Sequence, residues 1–307
     1  MLVTQEDKKL LKEILDHPTI LKGAYSLRKD GKVIEKKSSD NVIISPKEDG
    51  TGMDVIVREE TLHESIHIPV ILSQSGLKDV VYNDFHIGKN ANVVIVAGCG
   101  VHNDHHENSE HDGIHRFFLE EGAKVKYIEK HYGDGEGTGS KIINPVTEIH
   151  LKSGSSLEME SVQIKGVDST ERITKAFLED NTNLVIVEKI MTHGTQEAKT
   201  IFNVELNGEN SSVHVTSRSV ATDDSIQEFK SDVIGNTKCF GHVECDAIIK
   251  DNAKVIAIPK IIANDVDANL IHEAAIGKIA GEQLTKLMTL GLTEKQAEKQ
   301  IIKGFLK

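Results

Sequence analysis

This 307-residue sequence has no tryptophan and only three cysteines, Cys99, Cys239 and Cys245. So sparse and odd a thiol count argues against a disulfide framework and points to a reducing compartment, the cytoplasm. Positive charge is also short. The 36 Lys and Arg against 48 Asp and Glu leave a formal net charge of −12. Nucleic-acid binding needs clustered cations, so that partner is disfavoured, as is an anionic membrane surface. No apolar run approaches the roughly 18 residues of a membrane span. The opening residues lack the charged-then-apolar order of a secretory signal. Nucleotide loops are missing too. Residues 133–141 are rich in glycine but lack the Gly-x-x-x-x-Gly-Lys-Ser/Thr order, and their two acids would repel phosphate. That segment reads as a turn, and any ATP that is used must be bound by a partner. A Gly-x-Ser-x-Gly nucleophile elbow is absent as well.

What is present is pattern. Residues 4–17 read as a helix capped by Thr4, with Asp7 in the first turn and Leu10, Leu11, Ile14 and Leu15 on one face. Pro18 stands where that helix should stop. Residues 27–52 are polar, with weak strand signals. From about 53 to 262, short alternating apolar stretches are separated by Gly, Asn and Asp turns. A loose motif recurs, as in Phe85-His-Ile87-Gly-Lys-Asn90-Ala91-Asn-Val93-Val-Ile95 and Phe117-Phe-Leu119-Glu-Glu-Gly122-Ala123-Lys-Val125-Lys-Tyr127. Later turns fall at Gly154-Ser155, Asn181-Thr182, Asn210-Ser211 and Asn252-Ala253. Copies return at roughly 27 to 42 residues, the span of a solenoid coil, and each coil would bury its apolar face against the next. Alternation alone also allows a β-sandwich; the repeat favours the solenoid. The lack of helical periodicity over this stretch disfavours Rossmann and α/β-barrel folds.

The expected fold is therefore mainly β, a solenoid with a short N-terminal helix and a C-terminal helical hairpin. Its divisions are residues 1–52, helical or irregular; 53–270, the β-core; and 271–307, helical. Residues 282–289 carry Leu284, Leu287 and Met288 on one face, and Gly291 suits the cap. Thr293 and Gln296 form a capping-box signature for a second helix to about residue 303, striped with Ala297, Ile301 and Phe305. Such a hairpin can cap a solenoid or present a docking face.

Two constellations carry chemistry. His102, His105, His106, His111 and His115 fall within 14 residues, among Asp and Glu. That set suits a transition metal, but its spacing matches no zinc motif, and a solvated loop has the same composition. The function it allows is a metal-dependent β-solenoid enzyme built on residues 102–115. Nearer the C-terminus, Cys245 lies 27 residues before the adjacent pair His272-Glu273. Thiolate, imidazole and carboxylate span soft to hard ligands, a range that suits iron. Plainer readings stand beside this one. A lone Cys in a β-segment is usually buried packing. His272-Glu273, read as opening a helix, need be no more than an acid in a first turn.

The run 241–305 closely resembles the C-terminal region of the SufB/SufD family, scaffold proteins of iron–sulfur cluster assembly. The matching segments are Cys245-Asp246, Ile258-Pro259, His272-Glu273-Ala274, Gly277-Lys278-Ile279, Glu282-Gln283-Leu284 and Leu290-Gly291-Leu292-Thr293-Glu294, closing with Ile302-Lys303-Gly304-Phe305. Upstream, residues 166–170 and 111–115 look like the compact SufB-like branch found with a single ATPase partner. The resemblance implies a right-handed parallel β-helix and dimerisation through its late strands. It implies C-terminal helices that dock an ABC-type ATPase of the SufC kind, with Leu284, Leu287, Met288, Ile301 and Phe305 as the docking face. It implies a scaffold and not an enzyme, with ATP hydrolysed by the partner, a sulfur donor, apo-protein acceptors and a transient iron–sulfur cluster. Cys245 and Glu273 stand at the positions associated with cluster assembly, and His272 at the one implicated in SufD-like members. With all three, the chain looks like SufB and suits a homodimer. A non-catalytic platform for the ATPase is the remaining reading. Cys239, Cys99, His105 and His106 are further candidates for metal or sulfur handling.

Overall fold

Alternation of buried and exposed side chains governs the architecture from residue 24 to residue 277. The computed structural model describes residues 4–15 and 23–307. Helix α1 (Gln5–Ile14) begins at Thr4, where the Thr4 hydroxyl accepts from the Asp7 amide and the Asp7 carboxylate from the Thr4 amide. The expected stop at Pro18 lies outside the described residues.

Two antiparallel hairpins follow, β1 (Ala24–Lys29) with β2 (Lys32–Lys37), and β3 (Val42–Pro46) with β4 (Gly52–Val57). The next strands are β5 (Leu62–Leu72), β6 (Lys78–Ile87), β7 (Asn92–His102), β8 (Ser109–Leu119), β9 (Lys124–Asp134), β10 (Lys141–Ile143) and β11 (Val146–Leu151). After them come β12 (Ser156–Lys165), β13 (Ser169–Leu178), β14 (Asn183–Thr192), β15 (Glu197–Leu206) and β16 (Ser212–Ala221). The last are β17 (Ile226–Gly235), β18 (Phe240–Ile249), β19 (Lys254–Ala263) and β20 (Asn269–Gly277). Helices α2 (Gly281–Thr289) and α3 (Glu294–Phe305) close the chain.

The strands alternate between two sheets. One runs β2-β1-β5-β7-β9-β12-β14-β16-β18-β20. The other runs β19-β17-β15-β13-β10-β8-β6-β4-β3, with β11 between β13 and β8. Pairing beyond the hairpins is parallel. The result is a β-solenoid of about eight turns. In the first sheet Val93, Val125 and Leu157 are in register at steps of 32 residues, while Leu184, Val213, Gly241 and Leu270 step by 28 or 29. The corners are those of the repeat. Asn90, Gly122, Gly154, Asn181 and Asn210 all have positive φ, and the small residue after each is buried. In the last copy the positive φ falls at Asp251, one residue before the expected Asn252.

Inward side chains stack in ladders such as Ile95–Tyr127–Met159–Ile186–Val215–Val243. Full burial of each aliphatic contributes about 1.5–3 kcal/mol. Phe85 and Phe117 stack across the opposite sheet at 4.6 Å between centroids. Outside, Leu10 and Ile14 of α1 pack with Leu27, Ile71 and Tyr132, and Lys29 donates to Asp7 at 2.5 Å in a buried pair.

One expectation is corrected. Residues 27–52 hold the second half of β1, all of β2 and β3, and the start of β4, and they extend both sheets. Asp30 and Gly31, both with positive φ, close the β1–β2 hairpin as a tight two-residue turn. Polar composition hid these strands because β2 is almost wholly exposed.

Candidate functional site

Cys245 sits on β18 and His272 and Glu273 on β20, and these strands pair in parallel at the end of one sheet. His272 and Glu273 therefore lie on a strand, not at a helix start. Val243 pairs with His272, Glu244 with Glu273 and Cys245 with Ala274. Successive residues on a strand face opposite sides, which separates the three. Cys245 and His272 point toward the interior, whereas Glu273 is exposed on the outer face beside His242, with His242 Nε2 3.6 Å from Glu273 Oε2.

The electrostatics suit stored, not activated, ligands. Burial pushes the Cys245 thiol up to about 12, and the Glu188 and Asp246 carboxylates add to it. Burial, with His242 nearby, lowers the His272 pKa, so the imidazole is held neutral with a lone pair available. Among the described residues, neither His272 Nε2 nor His242 Nε2 has a hydrogen-bond partner. On the outer face, burial and the neighbouring Glu244 raise the Asp246 pKa.

The other sequence candidates are dispersed. Cys239 is buried in the turn before β18. Cys99 is buried on β7, five strand spacings from β18, about 24 Å away. His105 and His106 are exposed in the β7–β8 connection, while His111 and His115 turn inward on β8. Among the described residues, three potential ligand atoms lie within 4.8 Å of one another only at Asp54, Asp84 and His86.

Sequence reasoning missed a polar file inside the solenoid. Glu129, Ser161, Glu188, Ser217 and Cys245 occupy one register row across β9, β12, β14, β16 and β18. Arg172, from the opposite sheet, is 1% exposed. Its guanidinium donates to Glu129 at 2.5 Å and lies 3.3 Å from Glu188. Ser217 donates to Glu188 at 2.9 Å, and Thr200 does so at 3.0 Å. Burial would raise the Glu129 carboxyl, but His131 and Arg172 outweigh it and hold it well below the usual range; burial wins at Glu188, whose pKa is raised. The alternation Val125-Lys-Tyr127-Ile-Glu129 already placed Glu129 inward.

Comparison with known proteins bears on this site. Residues 81–305 match the family model described as SUF system FeS cluster assembly, SufBD core domain. The chain belongs to the SufBD family. It is 24% identical over 291 residues to an iron–sulfur cluster assembly SufBD family protein of Methanocaldococcus jannaschii, covering 93% of this chain and 90% of that one. A Pyrococcus horikoshii relative of the same description is 27% identical over 263 residues, covering 84% and 78%. A third, from Methanothermobacter thermautotrophicus strain Delta H, is 26% identical over 223 residues, and the match takes in 71% of this chain but 53% of that relative. SufBD membership supports a role in iron–sulfur cluster assembly.

At the far end of this SufBD chain, α2 and α3 stand beyond the last coil. The Thr293–Gln296 capping box forms as expected, and Lys250 of the solenoid pairs with Glu298 at 2.7 Å. Leu284, Leu287, Ile301 and Phe305 are half-buried and Met288 exposed, so the hairpin retains an uncovered apolar side. Ile249, Gly277, Ile279 and Leu284 line an open groove of about 500 Å³ between hairpin and coil. Edge strands β19 and β20 expose Ile256, Ile258, Ile261, Ile271 and Ile276. Among the described residues no helix is long and apolar enough to cross a membrane.

Proposed function

We propose that this SufBD protein is a scaffold on which an iron–sulfur cluster is built and from which it is passed to an apo-protein, with Cys245, Glu273 and His272 as the assembly residues. The observation that carries this reading is the pairing of β18 with β20, which places a thiol, an unpartnered imidazole and a carboxylate on neighbouring strands at the solenoid's end. Iron and sulfide are cargo. Few and mixed ligands suit release, whereas a four-thiolate site would hold the product more firmly. The scaffold works as a homodimer through the exposed isoleucines of β19 and β20, since unpaired sheet edges bearing apolar side chains favour a second copy. A SufC-like ABC ATPase docks on α2 and α3 and supplies the ATP hydrolysis that this chain does not perform. The setting is the cytoplasm.

Anaerobic reconstitution with iron and sulfide tests the assembly site. The parent should develop cluster absorption and Mössbauer signals, and Cys245→Ser and Glu273→Ala should lose most of them. Undiminished cluster in both variants would remove the assignment. Deleting residues 282–307 should abolish copurification with the ATPase; retained binding would place the dock elsewhere.

A further inference from the structure

A second set of ligands converges inside the early coils. On β8 the inward row is His111, Gly113 and His115, all buried apart from the glycine's missing side chain. A Cβ on Gly113 would sit 3.3 Å from His111 Nε2 and 3.3 Å from His115 Nε2. The two nitrogens thus edge the same gap, which a side chain at position 113 would fill. The gap belongs to a void of about 10 Å³ lined also by Cys99, Glu129 and His131. That is about the space of one water.

Hydrogen bonds fix which nitrogens face the void. His111 Nδ1 lies 3.2 Å from the Asp79 carboxylate, an acceptor only, so Nδ1 carries the proton. Asp79 is itself gripped by the Arg28 guanidinium. Tyr127 spends its hydroxyl proton on Glu129 at 2.9 Å, so its oxygen accepts from His115 Nδ1 at 2.7 Å. In both imidazoles Nε2 is left with its lone pair. Carboxylate-anchored Nδ1–H with free Nε2 is the usual arrangement behind a metal-ligating histidine.

We propose that His111, His115 and Cys99 form an internal binding site for one divalent first-row transition-metal ion, separate from Cys245 and independent of the assembly reading. An N₂S donor set selects borderline cations such as iron(II), cobalt(II) or zinc(II) over magnesium or calcium. These three side chains stand wider apart than bound ligands do, so binding draws them inward onto the void. The tighter group Asp54, Asp84 and His86 carries no such site, because Lys47 and Arg116 already neutralise its carboxylates.

Anaerobic cobalt(II) titration of the chelator-stripped full chain is the test. One equivalent should bind with tetrahedral d–d bands and a thiolate-to-cobalt charge-transfer band, in Cys245→Ser as in the parent. His111→Gln and His115→Gln should weaken binding about tenfold or more. Cys99→Ser should lose the charge-transfer band. Gly113→Ala removes no ligand and fills the void, so it should abolish the signal while circular dichroism stays native. Binding unchanged in Gly113→Ala and both histidine variants, binding lost with Cys245→Ser, or no stoichiometric cobalt at all would overturn the proposal.

Discussion

Cys245 should be one of the least reactive thiols a folded chain can carry. The side chain is 2% exposed, and burial with Glu188 and Asp246 pushes its pKa up to about 12. At pH 8 the thiolate fraction is then about one in ten thousand, against about one quarter for an ordinary thiol near 8.5. The ratio is about three orders of magnitude before steric exclusion is counted. Iodoacetamide alkylation, read peptide by peptide by mass spectrometry, measures it directly. In the native protein Cys245 should react about a thousandfold more slowly than in urea, where all three thiols are equivalent. Its rate should climb about tenfold per pH unit to pH 10, because the thiolate population does. Glu188→Gln removes one of the repelling charges and should shift the whole profile toward lower pH. Native Cys245 labelling within tenfold of the unfolded rate, or a plateau below pH 9, would refute the reasoning. The sign for stability follows. A thiol whose folded pKa is raised contributes stability below about pH 8.5 that is lost as pH rises toward 12, so alkaline titration should destabilise the parent more than Cys245→Ala.

Arg172→Met leaves Glu129 and Glu188 buried without their cation and should destabilise by about 3–5 kcal/mol at pH 7, seen as a lower thermal midpoint. Because the stranded carboxylates can take up protons, that penalty should shrink as pH falls toward 4, and adding Glu188→Gln should restore part of it. Phe117→Ala breaks the stack with Phe85 and opens the early coils, so it should cost about 3–5 kcal/mol in urea unfolding. Hydrogen exchange should show β19 and β20 losing protection well before β9, β12 and β14, because their side chains are mostly exposed; uniform protection to residue 277 would contradict this.

The fold was legible because its rule is local. A positive-φ Asn or Gly, then a small buried residue, then alternation, is visible in Asn90-Ala91 and Gly122-Ala123 without any partner. The C-terminal helices were legible for a similar reason, since Thr293 and Gln296 satisfy each other within one turn. What escaped were features whose cause is distant in sequence. Among the described residues strand β2 pairs only with β1, and it buries almost nothing, so no apolar pattern marks it, although Asp30-Gly31 marks its turn. His272-Glu273 reads as a helix start until β18 is present to pair with it. Arg172 and Glu129 are 43 residues apart, and only the closed coil reveals that they neutralise each other. The two dispersed halves of the histidine run show the same limit. Composition groups His105 with His111, but His105 lies in the exposed β7–β8 connection while the β8 alternation turns His111 to the core.

On the proposed reading, the faces of β18 and β20 set a condition on assembly. Cys245 and His272 look inward and Glu273 outward, so one chain at rest cannot offer all three to a single iron. A strand cannot turn two adjacent side chains to one side without losing its ladder. The nearby carboxylates Glu188 and Asp246 do not help to ionise the thiol, since both raise its pKa. On this reading the metal itself draws off the proton, arriving when Cys245 is uncovered. Among the described residues strand β20 has a sheet partner on one side only, and beyond Ala257, Ala268 and Leu270 the core stops. The terminal coil is thus the part of the solenoid that opens at least cost, and α2 and α3, hung from it through Lys250 and Glu298, are placed to transmit a partner's motion to it. In that state a thiol held protonated inside and a carboxylate held outside can meet the same ion.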